Sequence, residues 1–180
     1  MGMRRCVVWT LGSDRPGIAA AITGPLLELG GNLEDCSMTI LSGQFAMVLV
    51  VELPEGVEVV ALETALAEPA SRMDLGLAVR PIGDLVPTTA PGAHCVVSVY
   101  GADHPGIVHR FVTLLADANV NITDLATRVI GDSDDPVYAM VLEVVLPADL
   151  AVESLQEQLG TLATEVGVDA TMRTADADVL

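Results

Sequence analysis

The chain has 180 residues, of which 51% are hydrophobic but only 3% aromatic, so aliphatic side chains must build most of its core. Twenty-five acidic residues and eight basic ones, all of them arginine, give a formal net charge of −17. Because DNA and anionic membranes attract cationic surfaces, direct binding to either is not expected, and the absence of lysine excludes Schiff-base and P-loop chemistry.

The first half of the chain predicts six elements in the order strand, helix, strand, strand, helix, strand. After the turn at Gly12–Gly17, we expect the first helix to begin at Pro16 and to stop at Gly30-Gly31. Asp14 is expected to cap this helix, and Pro25 to bend it or end its regular turns early. The other elements are predicted at Cys6–Leu11, Asn32–Leu41, Phe45–Leu53, Val59–Met73 (a helix) and Leu75–Ile82.

The second half of the chain repeats the first. Gly12–Ile18 recurs as Gly101–Ile107, 89 positions later, within an alignment of 34 positions that holds ten identities. Phe45–Pro54 matches Tyr138–Pro147 at seven of ten positions. Repetition at this period predicts two copies of one small domain, with any site present twice. The second set of elements is predicted at Cys95–Tyr100, Pro105–Ala118 (a helix), Asn121–Ile130, Val137–Leu146, Val152–Val166 (a helix) and Val168–Thr174.

This order of elements predicts an α+β fold made of two ferredoxin-like βαββαβ domains. In each domain both helices should cover one face of a four-stranded antiparallel sheet, with the first and third strands at its centre. The domains are predicted at residues 4–82 and 94–174, joined by a linker at 83–93 and followed by an acidic tail at 175–180.

The repeated loop has the residue types of a small-molecule site. At the start of a helix, free backbone N–H groups and the helix dipole favour an anion such as a carboxylate. Gly17 and Gly106 have no side chain to block it, and Asp14 and Asp103 lie beside it as partners for an ammonium group. Together these groups suit an α-amino acid. The alternative is a purely structural turn with a capped helix and no ligand.

The motif Asp-x-Pro-Gly-Ile between a strand and a helix, present twice in a βαββαβ order, closely resembles the ACT domain. The resemblance implies a sensor of small molecules, usually amino acids, with sites at an interface between two ACT domains and hence a homodimer. Carried over, the implied ligand-binding residues are Gly12, Ser13, Asp14, Arg15, Pro16, Gly17, Ile18 and Asn32, then Gly101, Ala102, Asp103, His104, Pro105, Gly106, Ile107 and Asn121.

A chain of two ACT domains is similar to the glycine cleavage system transcriptional repressor family. That resemblance implies a regulator of amino-acid metabolism that binds no nucleic acid itself and contacts a DNA-binding activator, depending on a bound amino acid. The alternative is a regulatory subunit or structural partner of an amino-acid or one-carbon enzyme, with or without a ligand.

Neither catalysis nor metal binding is expected. Ser13, Ser42 and Ser98 have no partnered base, so the protein is not expected to be an enzyme, and no cofactor is implied. His104 and His109 are five positions apart, which places them on different faces of a helix, and no further ligand accompanies them.

The cysteines and the N-terminus point to the cytoplasm. Cys6, Cys36 and Cys95 form no CxxC pair and are expected to be buried, reduced thiols. The N-terminus lacks the apolar core of a secretion signal, and no apolar run is long enough for a membrane span.

The two copies also differ. Arg15 stands where the second copy has His104, and Pro25 interrupts only the first copy's helix. The second copy has a hairpin four residues longer, at 131–136. If only one loop binds a ligand, we expect it to be the second.

Overall fold

The computed structural model describes residues 4–83, 92–130 and 137–175, which fold into two compact units. Most of the predicted linker, the hairpin tip at 131–136 and all but the first residue of the predicted tail lie outside the described residues.

The first unit has the predicted order of elements. The elements are β1 Arg4–Ser13, α1 Ile18–Glu28, β2 Asn32–Leu41, β3 Gln44–Leu53, α2 Val59–Arg72 and β4 Leu75–Ile82. The four strands form an antiparallel sheet in the order β2-β3-β1-β4, so the first and third strands are central.

The second unit repeats this architecture. Its elements are β5 His94–Ala102, α3 Ile107–Asp117, β6 Asn121–Ile130, β7 Val137–Val145, α4 Val152–Val166 and β8 Val168–Thr174. The four strands form an antiparallel sheet in the order β6-β7-β5-β8. The prediction of two ferredoxin-like α+β domains is therefore confirmed.

Strand alternation builds each core. Successive side chains of a strand point to opposite faces, and on the central strands one set is buried beneath the helices. The buried set of the first unit includes Cys6, Val8, Phe45, Met47, Leu49 and Val51 with Ile18, Ile22, Leu62 and Leu66. The corresponding set of the second includes Cys95, Val97, Val99, Met140, Leu142 and Val144 with Ile107, Phe111, Leu155 and Leu159.

The first helix of each unit begins two residues later than predicted, at Ile18 and Ile107, and the expectation that Asp14 caps it is wrong. The N-cap residues are Gly17 and Gly106, with φ of 94° and 100°, and neither helix has a side-chain cap hydrogen bond. The reason is spacing. A side-chain cap acts from the N-cap position, whereas Asp14 lies three residues before Gly17.

Pro25 does not end α1 early, because the helix continues to Glu28. A proline removes only its own N–H from the ladder, and the Leu29 amide still donates to the Pro25 carbonyl at 3.1 Å. The helix then stops at Gly30-Gly31 as predicted, with Gly30 at φ 71° and the Gly31 amide donating to the Leu26 carbonyl at 2.8 Å. Together with the Gly30 amide, which donates to the Leu27 carbonyl at 3.0 Å, the Gly31 bond forms a Schellman motif.

The expectation of three buried thiols holds for two. Cys6 and Cys95 occupy equivalent buried positions of β1 and β5, whereas Cys36 is exposed. Cys36 lies on β2, an edge strand on which every residue is exposed. Burial raises the pKa of the Cys6 and Cys95 thiols.

Candidate functional site

Each copy of the predicted loop lies between the end of a central strand and the start of the helix that follows. In the first domain β1 ends at Ser13 and α1 begins at Ile18, and β5 and α3 leave the same gap in the second domain. Ile18 and Ile107 are each only 2% exposed, so their side chains anchor the helix start in the core. The polar residues of each loop, which precede these isoleucines, are exposed or half-buried at the end of the sheet.

Gly12 and Gly101 allow the close approach of a neighbouring strand. A Cβ at Gly12 would lie 2.7 Å from Leu75 Cδ2 and 2.9 Å from the Asp74 carbonyl oxygen. A Cβ at Gly101 would lie 2.7 Å from Val168 Cγ1. These two glycines of the motif are therefore explained by packing without a ligand.

The helix starts offer free hydrogen-bond donors. In the first domain the Ala21 amide donates to the carbonyl of the N-cap residue Gly17 at 2.9 Å. In the second domain the Arg110 amide donates to the carbonyl of the N-cap residue Gly106 at 3.0 Å. The three amides before each of them have no carbonyl within their own helix. Neither helix has an acidic residue in its first turn. An anion at either loop would therefore meet unoccupied N–H groups and the positive end of a helix dipole.

Gly17 and Gly106 leave the space beside these donors open. Their positive φ angles favour glycine. A Cβ at Gly106 would meet nothing within 4 Å, and at Gly17 it would meet only Met73 Cε, at 3.5 Å.

The loop position that is Arg15 in the first domain and His104 in the second forms a hydrogen bond with the other helix of its domain. The Arg15 guanidinium donates to the carbonyl of Met73, the C-cap residue of α2. His104 Nε2 lies 2.9 Å from the carbonyl of Val166, the last residue of α4. Both side chains therefore serve as hydrogen-bond donors at a helix C-terminus, where the dipole favours positive charge.

Asn32 and Asn121 do not lie beside the loop of their own domain. Asn32 pairs with Glu52, which also pairs with Arg5 near the start of β1. Asn121 pairs with Val145, which also pairs with His94 at the start of β5. At about 3.3 Å per residue, the length of the central strand separates each asparagine from the loop by roughly 25 Å.

The second domain has a polar cluster that the sequence analysis did not single out. Tyr138, at the start of β7, is opposite Gly101 of the loop motif and is 7% exposed. Burial raises the pKa of Tyr138, the nearby Thr127 hydroxyl opposes that rise, and the charge of Asp103 adds to it. The available signal was the Phe45-to-Tyr138 difference within the otherwise well-matched third-strand block.

A separate surface groove of about 610 Å³ lies between α3 and α4. Its lining consists of His109, Arg110, Thr113, Leu114, Asp117, Ala118, Leu150, Gln158 and Leu162. None of these belongs to the predicted loop, so the groove is distinct from the predicted site.

Within the described part of the chain, no group of three or more His, Cys, Asp or Glu side chains could hold a metal ion. Across the same residues, no helix has both the length and the apolar character needed to cross a membrane.

Comparison with known proteins gives the same domain type for both halves. Residues 4–80 and residues 96–160 each match the family model described as ACT domain. The chain is 24% identical to the glycine cleavage system transcriptional repressor of Escherichia coli over 168 residues, covering 92% of this chain and 87% of the relative.

Two further comparisons differ in the share of the chain that they cover. A UPF0237 protein of Methanopyrus kandleri is 51% identical over 53 residues, which is 29% of this chain, and the match spans only 59% of that relative's length. A crystal structure of an unknown protein from Galdieria sulphuraria has a TM-score of 0.84 and 25% identity, covering 97% of this chain and 100% of that one.

Proposed function

The chain belongs to the ACT-domain family, with two ACT domains in tandem, and on this premise we propose that it is a non-catalytic regulatory protein that senses an amino acid. ACT domains generally bind small-molecule effectors such as amino acids. The proposed sites are the two loops after β1 and β5. The proposed output is contact with a protein that regulates the transcription of amino-acid metabolism genes.

One observation carries the ligand part of this proposal. Both loops combine an uncapped helix start, a glycine with open space beside it, and a neighbouring aspartate, Asp14 or Asp103. The amides and the dipole suit the carboxylate of an amino acid, and the aspartate suits its ammonium group.

The proposed contact with a regulatory protein rests on similarity to a known repressor and on the net charge of the chain. A relative that aligns with 92% of this chain is a transcriptional repressor of the glycine cleavage system. With a net charge of −17, the chain is suited to a basic protein partner and poorly suited to DNA. We propose a DNA-binding activator as that partner, and a homodimer as the form that binds it.

The ligand is tested by thermal unfolding of the full chain in the presence of each standard amino acid. A ligand that binds only the folded state at about 100 times its Kd should stabilise it by about 2.7 kcal/mol. No shift with any amino acid would contradict the sensor proposal.

Substitution of the two N-cap glycines locates the binding. Asparagine tolerates positive φ, so Gly17→Asn and Gly106→Asn should fold while placing a side chain in the open space. We expect each variant to lose binding at its own loop, measured as the stoichiometry in calorimetry. Unchanged stoichiometry and affinity in both variants would exclude these loops.

The partner is tested by titrating the chain into a purified DNA-binding activator of glycine cleavage genes, with and without the amino acid. Binding should depend on the amino acid and weaken as salt rises, because surface charges are screened. Sedimentation of the chain alone tests the homodimer. Absence of any complex under low salt would contradict the proposed output.

A further inference from the structure

The sheet of the first domain has an apolar face on the side away from its helices. The outward side chains of the two central strands are Val7, Trp9 and Leu11 on β1 and Ala46, Val48 and Val50 on β3. Trp9 is 38% exposed, Leu11 59% and Val48 39%. An antiparallel sheet with one solvated face normally has polar residues on that face. These six residues, here named the open face, therefore form an unusual exposed apolar surface.

The fold does not require an apolar open face. In the second domain the equivalent of Trp9 is Ser98, and the equivalent of Val50 is Glu143, which is exposed. Both domains have the same strands, but only the first places apolar side chains along the whole centre of this face. Exposed apolar surface of this extent marks an interaction site on a folded protein.

Opposite charges lie at the two edges of the open face. Strand pairing places Asp35, Val50, Val7 and Arg80 on one line across the sheet, from β2 to β4. Paired residues share a face, so Asp35 and Arg80 point to the same side as the open face, and both are exposed. The Asp35 carboxylate accepts a hydrogen bond from the Cys36 amide, and Arg80 forms no ion pair with any described residue. The face thus has an anion at one edge and a cation at the other.

This arrangement is complementary to itself. A two-fold axis parallel to β1 and β3, and midway between them, would lay β1 of one copy over β3 of the other and β2 over β4. The facing pairs would be Trp9 with Val48, Leu11 with Ala46, and Asp35 with Arg80 of the second copy. In the first two pairs a large side chain meets a smaller one, and the third pair, formed twice by symmetry, joins opposite charges. Sheets packed face to face keep their strands within about 30° of each other, as this axis allows.

The area of the open face is sufficient for a dimer. Four strands about 4.8 Å apart and about nine residues long, at about 3.3 Å per residue, form a face of roughly 570 Å². Two copies would cover about 1,100 Å², which exceeds the roughly 1,000 Å² that a specific interface needs. At one end of the face Arg5 is already paired with Glu34 and Glu52, so these charges would keep their partners in the dimer.

We infer that two copies of the chain associate through the open faces of their first domains, about a two-fold axis parallel to β1 and β3. This inference rests on the homodimer of the proposed function and assigns the surface that forms it. The apolar centre supplies the association, and the two pairs of Asp35 with Arg80 set the relative orientation of the copies. The second domain, with Ser98 and Glu143 on its face, does not take part.

Charge reversal tests the pairing between copies. Asp35→Arg places two arginines opposite each other in each pair, and Arg80→Asp places two aspartates there. In sedimentation equilibrium of the full chain, the dimer Kd of each variant alone should rise about tenfold or more. An equimolar mixture of the two variants restores both pairs, so its dimer Kd should be close to that of the unsubstituted chain. A folding defect in one variant could not produce this recovery.

The apolar centre is tested separately. Val48→Glu introduces a charge that the dimer would bury without a partner, so the dimer Kd should rise about 100-fold or more. Val141→Glu, at the equivalent position of the second domain, is the matched control and should leave the Kd unchanged. Trp9 is the only tryptophan, so its emission should shift to the red as the unsubstituted chain is diluted. The emission of Val48→Glu should not change on dilution.

Failure of the mixture to recover, or equal effects of Val48→Glu and Val141→Glu, would overturn the inference. So would a loss in Val48→Glu of the complex with the activator alone, because the face would then bind that protein. If Val48→Glu fails to fold, the mixture decides, since its substitutions are at exposed positions of edge strands. A chain that is monomeric at every concentration would overturn this inference and the proposed homodimer, while the amino-acid titration tests the sensor function independently.

Discussion

The two ACT domains share a backbone and differ in the chemistry around their loops. Two pairs of glycines common to both copies of the motif are required by the backbone: Gly12 and Gly101 for strand contact, and Gly17 and Gly106 for positive φ. The copies differ within the loop, where Arg15 is replaced by His104, and on the neighbouring strand, where the buried Phe45 is replaced by Tyr138. A shared motif therefore indicates a shared backbone geometry, around which the side chains of the two domains differ.

The chain contains its own probes for comparing the domains. Trp9 is the only tryptophan and lies in the first domain, whereas both tyrosines, Tyr100 and Tyr138, lie in the second. Urea unfolding followed by tryptophan and by tyrosine emission therefore reports on the two domains separately.

The largest expected effect comes from the packed glycines. Gly12→Ala should destabilise the first domain by about 2–3 kcal/mol, because the new Cβ meets the Asp74 carbonyl, which is backbone. Gly101→Ala should cost the second domain somewhat less, since its closest contact is the Val168 side chain. Gly24→Ala and Gly160→Ala, with nothing within 4 Å, are the helix controls and should be stabilising by about 0.5–1 kcal/mol. Equal effects at Gly12 and Gly24 would contradict the packing role.

The interior proline of α1 should account for the next difference. Pro25→Ala restores an amide that can donate to the Ala21 carbonyl, and we expect the first domain to gain about 2 kcal/mol. The equivalent Leu114→Ala in the second domain serves as the control and should not stabilise. Urea midpoints from tryptophan emission measure the gain, and a loss on Pro25→Ala would mean that proline packing outweighs the missing bond.

The hydrogen bonds from the loop to the second helix should contribute less. Arg15→Ala and His104→Ala each remove a donor to the last carbonyls of a helix, at a cost of about 1 kcal/mol to the domain concerned. His104→Gln, which keeps a side-chain N–H donor, should recover part of the loss. No change in either variant, measured by urea unfolding, would show that these bonds are not made in solution.

The smallest effect on stability is expected at the thiols. In the native chain only Cys36 should react rapidly with a thiol reagent, while Cys6 and Cys95 react after unfolding. Because burial raises the pKa of these two thiols, the unfolded chain releases its protons first, and stability should fall as pH rises above about 8.5. Cys36→Ser should change neither stability nor its pH dependence. Rapid labelling of more than one native thiol would contradict the burial.

Local sequence signals predicted most of the fold and located the loops. Short apolar runs and the glycines at 30 and 31 were sufficient for the central strands and the end of α1, because these depend on neighbours in sequence. The start of α1 was predicted two residues early, because Pro16 and Gly17 form a turn in place of the first helical residues. The distance between Asn32 and the loop could not be found this way, since it depends on strand pairing.

The sequence by itself determined the duplication, the order of elements and the two ferredoxin-like domains, because periodicity and turn residues act within short segments. Only the tertiary structure decided which side chains lie next to one another. Tyr138 comes to Gly101 through pairing between strands that are more than thirty residues apart, and the same pairing leaves Cys36 on an exposed edge. Such contacts are made across the sheet, where distance in sequence no longer indicates distance in space.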